Sequence, residues 1–152
     1  MRIALYQPEI AGNVGAVIRV AACWSLPLDL IGPLGFALGD KQLRRAAMDY
    51  GALAEVVRYA GWADYRVRRP EGRLVLLTKQ AGTLLHDAAF VASDTLLFGR
   101  ESAGVPAEVV VAADLALRIP MREGARSLNL AVSVAVTAGE ALRQLDHFRG
   151  LR

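Results

Sequence analysis

Six short apolar runs alternate with helix-length segments along this chain, and that alternation narrows the possible folds more than any other feature. Ile3-Ala4-Leu5-Tyr6, Leu28-Asp29-Leu30-Ile31, Glu55-Val56-Val57-Arg58, Leu74-Val75-Leu76-Leu77, Thr95-Leu96-Leu97-Phe98 and Ala116-Leu117-Arg118-Ile119 read as strands. Between or after them, segments near 13–24, 40–49, 62–68, 84–90, 106–112 and 129–145 have helix length. The alternation predicts an α/β fold, a largely parallel sheet with helices on both faces. No repeat, low-complexity tract or linker interrupts the 152 residues, so residues 1–152 read as a single domain.

In open sheets of this kind ligands sit beyond the carboxyl ends of strands. The segments to weigh are therefore Gln7 to Asn13, Leu77 to Gly82, Gly99 to Gly104 and Pro120 to Ser127. Glycines close to the strand ends allow backbone groups to approach a ligand. Two of these segments, Phe98 to Pro106 and Ile119 to Leu130, share one grammar of strand end, polar loop and helix start. Two such loops can line one pocket.

Composition and missing motifs remove several function classes. Cys23 is the only cysteine and falls in an apolar helix pattern, which excludes a disulfide framework and a cysteine zinc site and suits a reducing cytoplasm. His86 and His147 lie far apart without partners at ligand spacing, so no metal is expected. The opening Met-Arg-Ile-Ala-Leu-Tyr-Gln-Pro-Glu carries no long apolar signal core, and the apolar stretch around Leu128 to Gly139 is too short for a bilayer, so no membrane is expected. There is no Walker phosphate loop, no full dinucleotide fingerprint around Gly12-Asn13-Val14-Gly15, and no nucleophile elbow. Net charge is +3, and with only Lys41 and Lys79 as lysines, 16 of the 18 basic residues are arginine. Arginine matches phosphate well, and it is equally at home scattered over a solvated surface.

Individual residues carry a plain reading beside a functional one. On a helix from about Asn13, residues Val14, Val17, Ile18 and Ala21 form an apolar stripe, and Arg19 projects away from it. Arg19 is either solvated or aimed at the strand-end crevice. Asn13 reads as a helix N-cap, and Ser127 as the cap of the last helix or as part of an anion site. Glu101 either pairs with a surface arginine or binds a ribose hydroxyl or amine. Arg126 and Asn129 flank Ser127 and make a donor-rich cluster that favours binding. The last helix is apolar or small around most of its circumference, which suggests deep burial or a homodimer interface.

Taken together, Leu5-Tyr6-Gln7-Pro8-Glu9-Ile10 through Asn13 to Arg19, Phe98-Gly99 to Gly104-Val105-Pro106, and Ile119-Pro120-Met121 to Arg126-Ser127-Leu128-Asn129-Leu130 resemble the three ordered motifs of the SPOUT superfamily of RNA methyltransferases. Gly35-Phe36, Asp40 to Ala46 and Met48-Asp49-Tyr50 resemble a stretch particular to the tRNA wobble-nucleotide ribose 2′-O-methyltransferases. Departures from the usual pattern fall at Ala11-Gly12, Arg100, Ala131-Val132 and Gly139.

The resemblance implies a SPOUT-type fold with a C-terminal trefoil knot, a rare exception to unthreaded chain topology. It implies S-adenosyl-L-methionine bound at Leu77, Gly99, Ile119 and Ser127, with Asn129 shaping the pocket. The implied reaction is methylation of the ribose 2′-hydroxyl of cytidine or uridine 34, the first anticodon nucleotide of tRNA. Arg19 is then the catalytic residue, while Arg126, Asn13 and Glu101 serve RNA binding. The implied partners are a tRNA anticodon stem-loop and a second copy of the chain in a homodimer. The alternatives are a ribose 2′-O-methyltransferase acting on rRNA or another tRNA position, and an inactive knotted RNA-binding module.

Overall fold

A computed structural model describes residues 1–37, 41–47, 50 and 53–150. The elements run β1 (Arg2–Tyr6), α1 (Ala11–Cys23), β2 (Leu28–Ile31), α2 (Lys41–Ala47), β3 (Val56–Tyr59), α3 (Trp62–Arg68), β4 (Leu74–Leu77), β5 (Thr83–Leu84), β6 (Thr95–Phe98), α4 (Ala107–Val111), β7 (Leu115–Arg118) and α5 (Leu130–Gln144). Single 3-10 turns follow at Leu85–Asp87 and His147–Gly150. The strands form one sheet in the order β3-β2-β1-β6-β4-β7-β5. Every pairing in it is parallel.

Alternate side chains of each central strand enter different cores, as the two-residue period requires. Ile3 and Leu5 of β1, with Leu28, Leu30, Leu96, Phe98, Val75 and Leu117, pack under α1 and α5 through Val14, Val17, Ile18, Ala21, Val134, Ala138 and Leu142. Ala4 and Tyr6, with Ile31, Leu97, Leu74 and Leu76, pack on the other face against Trp62 and Tyr65 of α3 and Val109 of α4. Helices thus cover both faces, and β2 and β6 are buried at all their positions. One charge is buried with its partner: Arg2 grips the fully buried Asp29 through two bonds of 2.8 and 2.7 Å. A second, Asp94, receives Arg73 in the same bidentate way.

The expected strands fall within a residue of those observed. The expected helix over 40–49 appears as Lys41–Ala47, and its flanking residues lie outside the described ones. Residues 84–90 are a correction. The chain there is extended at Thr83–Leu84 and pairs with β7, Leu84 opposite Arg118, before a single 3-10 turn. Burial of Leu85 and Phe90, with Gln144 bonded to Ala88 O and Phe90 N–H, overrides the helix-friendly composition of Leu85-His86-Asp87-Ala88-Ala89.

Two capping assignments also change. Helix α1 starts two residues before Asn13, after an extended Ile10 with no side-chain cap. Asn13 therefore sits inside the first turn, where its side chain is free to bond elsewhere. At α5 the cap is Asn129 and not Ser127: Asn129 Oδ1 accepts the N–H groups of Ala131 and Val132 at 2.8 and 3.3 Å. Among the described residues no helix is long and apolar enough to cross a membrane, and no cluster of three or more His, Cys, Asp or Glu is placed to hold a metal.

Candidate functional site

Strands β1, β6, β4 and β7 are neighbours in the sheet, so the loops leaving their carboxyl ends are neighbours too. The register sharpens this: Leu77 at the end of β4 lies opposite Phe98 on one side and Leu117 on the other. The loops open onto a cavity of about 730 Å³ whose walls run through Leu77–Gln80, Phe98–Val105, Ile119, Met121 and Arg126–Leu130. Ile10 and Asn13 of the first loop and α1, Val110 of α4 and Ser133 of α5 complete the lining. Its size and its mixture of apolar side chains with strand-end backbone groups suit a cofactor-sized molecule.

The Gly99–Gly104 loop is shaped by its glycines. A Cβ on Gly99 would lie 2.5 Å from the carbonyl carbon of Gly104, so only glycine allows the loop to fold back on its own base. Gly104 has φ +65°, the left-handed region that glycine adopts without strain. The base is closed by two reciprocal bonds, Arg100 N–H to Gly104 O and Gly104 N–H to Arg100 O, each 2.9 Å. The guanidinium of Arg100 lies 5.9 Å from the Tyr6 ring centroid, which ties this loop to the end of β1.

A chain of polar side chains crosses the cavity mouth. Asn129 Nδ2 donates to Asn13 Oδ1 at 2.8 Å, and Asn13 Nδ2 donates to Glu101 Oε1 at 3.0 Å. Glu101 Oε2 accepts the backbone N–H of Glu9 at 2.9 Å. Each amide has both ends committed, which fixes its orientation. Glu101 thus ties loops together and forms no ion pair among the described residues.

The structure brings together nearly all the residues singled out from sequence. Leu77, Gly99, Ile119, Ser127 and Asn129 line the cavity, and so do Asn13, Glu101 and Arg126. Arg19 does not line it. The residue is exposed, with its guanidinium 5.6 Å from the Tyr50 ring centroid, and six helical residues put it about 9 Å beyond Asn13 along α1. Lys79, Arg122 and Arg126 are exposed around the cavity and its loops and make no ion pair among the described residues. Sequence reasoning passed over Val110 and Ser133 and gave Glu9 no role. Val110 and Ser133 are helical, one turn or less into α4 and α5, so a rule that inspects strand ends alone does not reach them.

A second, shallower hollow of about 550 Å³ lies along α5 between Ala135, Val136, Gly139 and the side chains of Pro120 and Phe148. Its lining is mostly apolar, without the converging polar groups of the first cavity.

Known proteins resemble this chain over nearly its whole length. A curated relative from Ancylobacter novellus, named tRNA (cytidine(34)-2′-O)-methyltransferase, is 46% identical over 150 residues, 97% of this chain and 95% of its own. A relative of the same name from Escherichia coli K12 is 40% identical over 97% of this chain and 95% of its own. A solved structure described as giving insight into 2-OH methylation of C/U34 on tRNA superposes with a TM-score of 0.92 at 43% identity, covering 95% of both chains. An AdoMet-bound rRNA methyltransferase from Sinorhizobium meliloti superposes at 0.86 with 27% identity, over 95% of this chain and 56% of that one. Residues 1–139 match the profile of the SpoU rRNA methylase family, and with the strand-end cavity in place the chain belongs to that family.

Proposed function

We propose that this protein transfers the methyl group of S-adenosyl-L-methionine to the ribose 2′-hydroxyl of cytidine or uridine 34 of tRNA. The observation that carries the reading is the single cavity into which the loops after β1, β4, β6 and β7 converge, in a chain 46% identical over 97% of its length to a protein named for that reaction. The cavity fits the donor: about 730 Å³, apolar walls at Leu77, Ile119 and Leu130, and backbone groups exposed where Gly99 leaves no side chain.

When bound, the donor supplies a methyl group activated by its positive sulfur. Leu77, Gly99, Ile119 and Ser127 hold it, and Asn129, fixed by Asn13, sets one wall. Arg126 binds the RNA backbone near the mouth. A guanidinium offers five N–H donors and no acceptor for a proton, so Arg19 acts as a clamp on phosphate and on charge developing at the ribose oxygen. Its distance from its own cavity suits action across the boundary between two copies of the chain.

Two further features support this assembly. Val132 and Val136 on α5 are 47% and 42% exposed, and Leu128 and Ile10 add apolar surface, a face suited to a homodimer. A trefoil knot is supported by the strand order, which sets β4 between the later strands β6 and β7, and by the return of α5 to α1 through the Asn129–Asn13 bond. The cytoplasm is the compartment where such a tRNA enzyme meets its substrate.

Transfer of radiolabelled methyl to total tRNA, followed by mapping of the product, tests the reading. Label in a 2′-O-methyl group at the wobble nucleotide is the expected result. Label at another tRNA position or in rRNA, or no binding of the donor by calorimetry, overturns it.

A further inference from the structure

Glu9 is the one acidic residue of the first site loop, and its carboxylate crosses to the tip of the Gly99–Gly104 loop. Oε2 accepts the backbone N–H of Ser102 at 2.9 Å and Oε1 accepts its hydroxyl at 2.7 Å. In the opposite direction, the backbone N–H of Glu9 donates to Glu101 at 2.9 Å. Each loop thus offers a carboxylate to the backbone of the other. The two bonds from Ser102 also hold the Glu9 carboxyl below its usual range.

Glu9 itself is seated without slack. A Cβ on Gly35 would lie 2.8 Å from the Glu9 Cα, and Gly35 N–H donates to Pro8 O at 3.0 Å. The far side of the latch is equally defined, because the base of its loop is already closed by the Arg100–Gly104 pair. Between these fixed points lies the tip, Glu101 to Ala103, and that tip lines the large cavity. Glu9 does not line it.

Two carboxylates beside a cavity that must admit a polyanion are electrostatically unfavourable for RNA. Their bonding explains them: backbone N–H groups of a bent loop need acceptors, and an ionised carboxylate is a strong one. Resting on the proposed methyl-donor site, we infer that Glu9 is a positioning residue, whose paired bonds to Ser102 hold the Gly99–Gly104 wall at the width the donor requires.

The test compares wild type with Glu9→Gln, Glu9→Ala and Ser102→Ala in the full chain. Glu9→Gln keeps the size but turns one acceptor into a donor facing Ser102. Calorimetry is expected to show S-adenosylmethionine binding about tenfold weaker in both Glu9 variants, and roughly threefold weaker in Ser102→Ala, which keeps the N–H bond. KM for the donor rises in step while KM for tRNA does not, and the thermal midpoints stay within about 2 °C of wild type. Combining Glu9→Gln with Ser102→Ala gives less than the summed loss, since both act on one contact. Wild-type donor affinity in Glu9→Ala overturns the assignment, as does a loss fully matched by unfolding. A wild-type protein that binds no donor overturns the methyl-donor reading itself, and the inference with it, an outcome separate from latch failure, in which wild type binds and Glu9→Ala binds equally well.

Discussion

Asn129 accepts from the first turn of α5 with one end of its amide and donates to Asn13 with the other. Asn129→Ala is expected to lose the cap, about 1 kcal/mol in urea denaturation, and to weaken donor binding as well. Asn129→Asp keeps the cap and loses the link to Asn13, so its stability falls less than its affinity. Asp29→Ala removes the partner of a guanidinium held at the start of the interior strand β1, and about 3 kcal/mol of stability goes with it, read from the same denaturation curve. Arg19→Ala is expected to fold normally, because the side chain is exposed, and to lower kcat for methyl transfer about 100-fold. Unchanged kcat removes Arg19 from catalysis. The strand-end rule pointed to the loops from Leu77, Gly99 and Pro120 because it depends only on where strands stop, which local pattern reveals, whereas donor binding at Leu77, Gly99, Ile119 and Ser127 was legible only through the family resemblance. It could not find the Glu9–Ser102 contact, whose partners are 93 residues apart. Nor could it see that Ile10, an apolar residue, ends the extended segment before α1, which displaced Asn13 from the cap.

Helix α5 links the site to the rest of the fold through its last turns. Glu140 accepts from Arg143 and Gln144, and those bonds, that of Arg143 first, hold its carboxyl down to about 2. Gln144 in turn donates to Ala88 O and accepts from Phe90 N–H, pinning the segment between β5 and β6. A depressed carboxylate stabilises the fold above its unfolded value of 4.5 and loses that contribution as pH falls toward about 2. Glu140→Gln is therefore expected to flatten the stability profile between these pH values while costing less than about 1 kcal/mol at neutral pH, since the pair faces solvent. Chemical denaturation across that range checks both. At this scale the sequence was readable wherever an apolar run met its neighbours in the pattern expected of it. It was unreadable at Thr83–Leu84, where two residues become a strand only because β7 is alongside. Strand order was closed to it for the same reason, since parallel neighbours are chosen by contacts distant in sequence.

The whole molecule is small, basic with a pI near 9.4, and apolar on one helix face. Val132→Glu places a charge in the middle of that face, and sedimentation is expected to show a homodimer in wild type and a monomer in the variant. Loss of tRNA binding at unchanged donor affinity should accompany it if RNA is held across two copies. A monomeric wild type at micromolar concentration rejects the dimer.

The position of β6 has a consequence for synthesis. It fills the gap between β1 and β4, yet it is the sixth strand to be made. At ordinary translation speeds β1 emerges with a bare, apolar edge and keeps it for roughly ten seconds. Until Thr95–Phe98 leaves the ribosome, β1 and β4 have no strand between them and can pair with the wrong neighbour. One four-residue insertion then closes the gap, so the hazard this protein presents to a cell is concentrated in its unfinished form.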